Sequence, residues 1–171
     1  PETVKLLRTI LELSPNENQI RDMKGYLMSL NYKAIIIAAG LGSRLKDYTK
    51  SNPKCLLKFG GKTLLQHQLD SYKDAGISKF SLIRGYKKEC INFEGITYYN
   101  NDDYENNNVL NSLFYAEEEI SGNVIISYSD ILFESSIVSR LMESNHDISI
   151  VVDIDWRGYY VNRKDHPISE A

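Results

Sequence analysis

The residues best suited to chemistry lie in one short stretch, between positions 38 and 54. Two glycines with small neighbours, at residues 39–43, allow backbone N–H groups to converge on an anion without interference from Cβ atoms. Arg44 adds a cation with several donors, and Lys54 adds a second cation beside the restricted backbone of Pro53. The glycine spacing matches neither the full dinucleotide-binding pattern nor a P-loop. The loop and its two cations together predict a phosphate site.

Carboxylates form the second set of candidate residues. Asp130 follows the buried strand predicted at residues 124–127, and Mg²⁺ commonly binds one or two protein carboxylates together with substrate phosphates. We therefore predict that Asp130 holds Mg²⁺; the alternative is a loop aspartate that caps the following turn. Asp153 and Asp155, at i and i+2, would point to one side of a strand as ligands for a metal or a cationic acceptor, unless they are simply solvated.

Alternating strands and helices must position these residues. The apolar run at 33–38 predicts a strand buried on both faces, and residues 63–72 have helical spacing. The other predicted elements are strands at 79–83, 96–99, 124–127 and 148–153, and helices at 109–120 and 136–142. This alternation predicts an α/β fold with a Rossmann-like, doubly wound, mostly parallel sheet, whose ligands bind beyond the carboxyl ends of the strands.

Residues 1–31 are predicted to form a helical extension that precedes a domain of residues 32–171. Apolar residues recur there at helical spacing, and Ser14 offers an N-cap for a second amphipathic helix. The favoured interpretation is a packing extension or the tail of an upstream domain. An appended regulatory or DNA-binding helical pair is the alternative.

The composition narrows the classes of protein to which this chain can belong. The chain has 171 residues, of which 42% are hydrophobic and 25% charged, as is typical of one globular domain. The net charge of -3 gives no overall footprint for nucleic acid, so the cations near the glycine loop indicate a local site for a small anion. The cysteines lack metal spacing, and no apolar run reaches the roughly 18 residues that span a bilayer. We predict a cytoplasmic protein without nucleic-acid or membrane partners, and leave a homo-oligomer open.

The glycine loop and a later motif resemble those of a known family. A strand followed by AAGLGSRL and then NPKCLL is similar to the nucleotidyltransferases, including MobA-like and sugar nucleotidyltransferases, which couple a nucleoside triphosphate to a phosphorylated acceptor and release pyrophosphate. The resemblance implies that the loop wraps the triphosphate, that Arg44 contacts it and that Lys54 stabilises charge at the reacting phosphate. It also implies that Asp130, at the end of its strand, is a metal ligand.

A narrower resemblance rests on motifs between residues 84 and 133. RGYKK, YYNN, DYE, an N-x-x-x-S spacing and SYSDILF are similar to the cytidylyltransferases that activate phosphocholine or aminoethylphosphonate, including domains fused behind phosphoenolpyruvate mutase. In that branch Asn108 and Ser112 lie at a helix start near the active site, where an amide could read cytosine; N-capping is the alternative role. Arg84 offers a further cation near the nucleotide, or belongs to a solvated basic turn.

Together these resemblances imply a Mg²⁺-dependent enzyme. Its partners would be a nucleoside triphosphate, CTP in the narrower branch, and a small phosphorylated or phosphonate acceptor. The predicted catalytic residues are Lys54 and Arg44, and the predicted metal ligand is Asp130. The predicted nucleotide-binding residues are Ala38, Ala39, Gly40, Leu41, Gly42, Ser43, Arg84, Asn108 and Ser112.

Two other functions stay open from the sequence. A sugar-1-phosphate nucleotidyltransferase that uses UTP or dTTP would share the glycine loop but would need polar contacts to a sugar. A non-catalytic nucleotide-binding or interaction domain is the alternative from another class. The resembling family presents a second metal carboxylate later in its chain, and this sequence starts at Pro1 and stops at Ala171 without a helix stop signal. We therefore expect a domain truncated at its C-terminus, with low activity by itself.

Overall fold

The computed structural model describes residues 16–18, 23, 25, 27, 29 and 31–161, without the side chains of Arg44 and Lys46. The predicted helical extension lies largely outside these residues. Its described helical positions are Glu17, Asn18, Met23, Gly25, Leu27 and Ser29. Within the described ranges, no helix is long and apolar enough to cross a membrane.

A parallel sheet of four strands forms the centre of the domain. The strands along the chain are β1 (Tyr32–Ala38), β2 (Lys58–Phe59), β3 (Lys62–Thr63), β4 (Phe80–Arg84), β5 (Ile96–Asn100) and β6 (Asn123–Tyr128). The order in the sheet is β5-β4-β1-β6, with all neighbours parallel, and β2 and β3 form a separate antiparallel hairpin. The predicted α/β fold is confirmed, as are the strands predicted at 33–38, 79–83, 96–99 and 124–127.

Within residues 31–161, three α-helices accompany the sheet: α1 (Leu64–Asp74), α2 (Val109–Phe114) and α3 (Ser135–Met142). The start of α1 is fixed by Thr63, whose hydroxyl accepts a hydrogen bond from the Gln66 N–H at 3.1 Å. The helices predicted at 63–72 and 136–142 are therefore confirmed.

The core lies on both faces of β1. On one face, Ala34 and Ile36 belong to a cluster with Leu69 of α1 and other buried residues. On the other face, Ile35 packs in a smaller cluster with Ile83 of β4. A strand buried on both faces needs apolar side chains at consecutive positions, which explains the unbroken apolar run of β1.

The helix predicted at residues 109–120 ends early. α2 stops at Phe114, and a separate 3-10 helix spans Glu117–Glu119. Consecutive glutamates would place negative charge at the carboxyl end of a longer helix, where the helix dipole disfavours it. Glu119 instead pairs with Lys33 of β1, with Lys33 Nζ 2.8 Å from Glu119 Oε2.

The prediction of a strand at residues 148–153 is wrong. Its apolar side chains are exposed, Ile148 by 82%, and no described strand pairs with it. Asp153 Oδ1 accepts a hydrogen bond from the Asp155 N–H at 2.9 Å in a turn before the 3-10 helix Trp156–Tyr160. An apolar run forms a strand only where another strand offers backbone partners, and this segment finds none among the described residues. The expected placement of the two carboxylates on one side of a strand is wrong as well.

Candidate active site

The strand order places a crevice at the carboxyl ends of β1 and β6. β4 and β5 lie on one side of β1, whereas β6 lies on the other. Where the order of strands reverses in this way, the loops leave in opposite directions and open a space for a ligand. The glycine loop follows β1 directly, and Asp130 follows the end of β6. The two features singled out from the sequence therefore meet at one crevice.

The glycine loop, residues 39–42, is fixed at one end and open at the other. Gly42 has a φ of 63°, and a Cβ there would lie 3.0 Å from Thr49 Cγ2, so this position requires glycine. Its carbonyl accepts hydrogen bonds from the Leu45 N–H and the Thr49 hydroxyl, both at 3.0 Å. A Cβ on Gly40 would meet nothing within 4 Å. An anion could therefore approach the backbone at Gly40.

The other predicted loop residues differ in exposure. Ala38 and Ala39 are buried, so their backbone groups are what they could offer a ligand. Leu41 and Ser43 are exposed. Arg44 continues the 3-10 helix that begins at Ser43. Because the Arg44 side chain lies outside the described atoms, its contact with phosphate stays a prediction.

Gly85 and Tyr86, which follow β4, contact the backbone of the glycine loop. A Cβ on Gly85 would lie 2.6 Å from Ala39 O and 2.8 Å from Tyr104 Cβ, so only glycine allows this approach. Tyr86 donates its backbone N–H to Ala39 O at 3.0 Å and its hydroxyl to Thr49 O at 3.1 Å. Neither residue was predicted as part of the site, although a glycine next to a strand is a signal of close backbone approach. Gly85 and Tyr86 therefore hold the loop directly at Ala39, and Tyr86 also holds Thr49, whose hydroxyl contacts the Gly42 carbonyl.

Lys54 and Asp130 come together across the crevice. Lys54 begins a 3-10 helix after the buried Pro53, and its Cβ lies 3.4 Å from the position that a Cβ on Gly42 would occupy. Its Nζ lies 2.6 Å from Asp130 Oδ2, and the two side chains are 36% and 33% exposed. A phosphate or a metal ion can therefore reach both groups. Burial raises the pKa of the neighbouring Cys55 thiol to about 12, which keeps it protonated and unreactive.

The turn that carries Asp130 is held by a residue that carries no sequence motif. Gln68 of α1 donates its Nε2 hydrogens to Tyr128 O at 2.7 Å and to Ile131 O at 2.5 Å. The residue was missed because an amide on a helix face gives no signal of what it contacts. The signal that the sequence offers for Gln68 is a polar residue at a position on the apolar side of α1.

Arg84 lies at the end of β4, and its guanidinium is engaged within the protein. Nη1 donates to Ile91 O at 2.9 Å, and Nε donates to Asn100 Oδ1 at 3.2 Å. The guanidinium also lies over the Tyr98 ring, 4.0 Å from its centroid. Arg84 is therefore not a free, solvated cation. A contact with nucleotide stays a prediction.

Asn108 and Ser112 belong to a network of amide hydrogen bonds. Asn108 caps α2, since its Oδ1 accepts from the Asn111 N–H at 2.9 Å. The buried Ser112 hydroxyl accepts from Asn101 Nδ2 at 2.9 Å and donates to Asn108 O at 3.2 Å. Asn101 also exchanges two hydrogen bonds of 3.0 Å with Asn107. Asn108 thus has the capping role weighed above, and a contact of Ser112 with a base would require this network to open. Their roles in nucleotide binding stay predictions.

Asp130 suits a metal site that the substrate itself completes. Across the described chain, no three His, Cys, Asp or Glu side chains gather into a metal cage. Mg²⁺ does not need one, because it keeps several water molecules and binds through one or two carboxylates plus substrate phosphates. An accessible carboxylate beside the glycine loop fits that set of donors, and the ligand role of Asp130 stays a prediction.

Comparison with known families identifies the class of protein. Residues 34–165 match the MobA-like NTP transferase domain. The chain therefore belongs to the MobA-like NTP transferase family, and the resemblance to nucleotidyltransferases is confirmed.

Cytidylyltransferases are among its relatives. The chain is 30% identical over 149 residues to the CTP:phosphoglutamine cytidylyltransferase of Campylobacter jejuni, a match that covers 81% of this chain and 59% of that protein. It is 28% identical over 134 residues to the UTP-glucose-1-phosphate uridylyltransferase AglF of Haloferax volcanii, covering 72% and 55%. The solved CTP:phosphocholine cytidylyltransferase from Streptococcus pneumoniae superposes with a TM-score of 0.53 and 30% identity, covering 62% of this chain and 50% of that one. The chain thus spans between 50% and 59% of the length of these relatives.

Proposed function

We propose that this domain belongs to a Mg²⁺-dependent cytidylyltransferase, which joins CTP to a phosphorylated or phosphonate amino-alcohol and releases pyrophosphate. The observation that carries the proposal is the pairing of Lys54 with Asp130, 2.6 Å apart beside the glycine loop. Nucleotidyl transfer needs positive charge at the reacting phosphate and a carboxylate for the metal at one place. The similarity to cytidylyltransferases supports the choice of reaction.

The residues of this chain would act through position and charge. An oxygen of the acceptor's phosphate or phosphonate attacks the α-phosphorus, and the bond from that phosphorus to the oxygen shared with the β-phosphate breaks. Pyrophosphate leaves with the electron pair of that bond. Backbone N–H groups of residues 40–43 and the Arg44 side chain would hold the β- and γ-phosphates, while Lys54 would stabilise charge that grows at the α-phosphate. Asp130 would hold Mg²⁺, which would further neutralise the charge of the phosphates.

The choice of CTP rests on the cytidylyltransferase relatives and on the amide of Asn108. Cytosine presents an N4 donor and an N3 acceptor, where uracil presents an O4 acceptor and an N3 donor. Asn108 is exposed in this structure and its Oδ1 caps α2, so its Nδ2 hydrogens are what it would offer a base. If the bound base covers a partner arranged for one base, the other base leaves that partner unpaired, at a cost of about 1–3 kcal/mol. CTP should therefore be preferred over UTP by about tenfold or more in kcat/KM.

A substrate panel tests the reaction and the base together. CTP, UTP and dTTP would each be paired with phosphocholine, 2-aminoethylphosphonate, phosphoglutamine and glucose 1-phosphate, and pyrophosphate release would be measured. The proposal expects turnover with CTP and an amino-alcohol acceptor, and its loss in Asp130→Asn. Equal use of CTP and UTP, or a preference for UTP with glucose 1-phosphate, would reject the cytidylyltransferase assignment.

Two other candidates have their own support. The similarity to the uridylyltransferase of Haloferax volcanii favours a sugar-1-phosphate nucleotidyltransferase, which the glucose 1-phosphate arm of the panel detects. The glycine loop, which Gly85 and Tyr86 hold in place, would serve a non-catalytic nucleotide-binding domain equally well. Calorimetric binding of a nucleoside triphosphate without pyrophosphate release, for every acceptor tested, would support that second candidate.

A further inference from the structure

One side chain of α1, Gln68, spans the turn that carries Asp130. Its two amide hydrogens hold the carbonyls of Tyr128 and Ile131, at Nε2–O distances of 2.7 and 2.5 Å. These carbonyls come before and after Asp130 in the chain, so a single planar group sets the separation of the two ends of the turn. Gln68 is 0% exposed, so its amide group is buried.

Other residues that contact this region each make a single hydrogen bond to it. Ser129 donates its N–H to Ile37 O at 3.0 Å, which ties the turn to β1. Ser71, further along α1, donates its hydroxyl to Phe133 O at 2.6 Å, beyond the turn. Gln68 differs from both because it makes two hydrogen bonds, one to a carbonyl before Asp130 in the chain and one to a carbonyl after it.

Gln68 makes two hydrogen bonds but also leaves one polar atom unpaired. It lies on the buried side of α1 with Leu65, Leu69 and Tyr72, and its Oε1 is buried without a hydrogen-bond partner among the described residues. Such an unpaired buried atom is destabilising and offsets part of what the two hydrogen bonds contribute. A residue that breaks the apolar pattern of a core is expected where function rather than stability decides its identity.

We propose that Gln68 is a positioning residue for the metal site, which fixes the turn on both sides of Asp130 and thereby holds its carboxylate where the metal and the triphosphate meet. The inference rests on the proposed function, since Gln68 acts only through Asp130. Hydrogen-bond partners that lie behind metal ligands commonly change metal affinity by about 10–100-fold when they are removed. Loss of Gln68 should therefore weaken metal binding and leave metal-free nucleotide binding at the glycine loop unchanged.

Direct titration with Mn²⁺, followed by electron paramagnetic resonance, tests this inference. Wild type, Gln68→Met and Asp130→Asn would be titrated in the presence of a non-hydrolysable CTP analogue. Methionine keeps the length of the side chain and removes both donors. We expect the Mn²⁺ dissociation constant of Gln68→Met to rise about tenfold or more, with a cooperative thermal transition and an unchanged affinity for the analogue without metal.

Ser71→Ala is the matched control, because it removes one bond from the same helix without touching residues 128–131. It should bind Mn²⁺ as wild type does. Gln68→Leu, which also removes both donors, should show the same weakening if the methionine variant does not fold. Wild-type affinity in the Gln68 variants, together with a loss in Asp130→Asn, overturns this inference alone. Unchanged affinity in Asp130→Asn overturns the proposed function as well, and failure of both Gln68 variants to fold assigns the residue to the core.

Discussion

Lys54 Nζ lies 2.6 Å from Asp130 Oδ2, so that the two charges proposed to act on the triphosphate also face each other. In the proposed reaction Lys54 contacts phosphate and Asp130 contacts metal. Lys54 therefore competes with the metal for Asp130, and Asp130 competes with the phosphate for Lys54. By thermodynamic linkage, metal and triphosphate should bind more tightly together than either does alone.

Lys54→Gln should strengthen the binding of divalent metal in the absence of nucleotide. The substitution removes a cation that competes for the Asp130 carboxylate, and an exposed ion pair is worth about 0.2–1 kcal/mol, or at most about fivefold in affinity. Titration with Mn²⁺ would measure the change. Lys58→Gln, at an exposed position of β2, is the matched control and should behave as wild type. Weaker metal binding in Lys54→Gln would contradict the competition.

Lys54→Ala should lower kcat far more than it raises KM for the nucleotide. The proposed contact strengthens as charge develops in the transition state, and loss of one such group costs about 10²–10³-fold in rate. Steady-state kinetics with saturating acceptor would separate the two constants. An unchanged kcat with a raised KM would reassign Lys54 to binding of the ground state.

Gly85→Ala should disturb the glycine loop without any contact to substrate. The new Cβ would lie 2.6 Å from Ala39 O, and relief of such a clash typically costs about 1–3 kcal/mol. We expect a lower Tm and an increase in KM for the nucleotide of about tenfold or more. Gly158→Ala is the control, since its Cβ would meet nothing within 4 Å. Wild-type KM in Gly85→Ala would show that the loop tolerates displacement of Ala39.

The ion pair between Lys33 and Glu119 should make stability depend on pH. The hydrogen bond from Lys33 lowers the pKa of the Glu119 carboxyl in the folded protein. A carboxyl of this kind stabilises the fold above its unfolded pKa of about 4.3, and the contribution is lost as pH falls through the folded pKa.

Glu119→Gln should accordingly lower Tm by about 2–4 °C at neutral pH, for a loss of about 1 kcal/mol. The difference from wild type should shrink as the pH falls below the unfolded pKa and through the lowered folded pKa, where the wild-type carboxyl becomes protonated too. Thermal melts followed by circular dichroism would measure it, with Glu117→Gln in the same 3-10 helix as control. A deficit that persists at low pH would assign the effect to packing instead of charge.

Local patterns were sufficient to predict much of this fold. The apolar run of β1 and the helical spacing of α1 are properties of neighbouring residues, and both elements are confirmed. Strand order alone then brought the glycine loop and Asp130 to one crevice. The roles of Gln68 and Tyr86 could not be predicted, because each depends on carbonyl groups that only the tertiary structure brings near.

The apolar run at 148–153 shows where a local pattern predicts an element that the tertiary structure does not form. Its composition favours a strand, but strand formation depends on backbone partners that lie elsewhere in space. Asn108 is a related case, because the same amide suits a helix cap and a base contact, and sequence carries no information that separates them.

The outer edge of β6 matters for handling the chain in solution. Among the described strands none pairs with this edge, and Ile126 and Tyr128 are half exposed beside it. An unpaired strand edge with apolar side chains is a template for a strand from another molecule, and the exposed apolar residues at 148–154 offer one. A preparation of residues 1–171 should therefore self-associate as its concentration rises, and light scattering over a dilution series would detect this before any assay is interpreted.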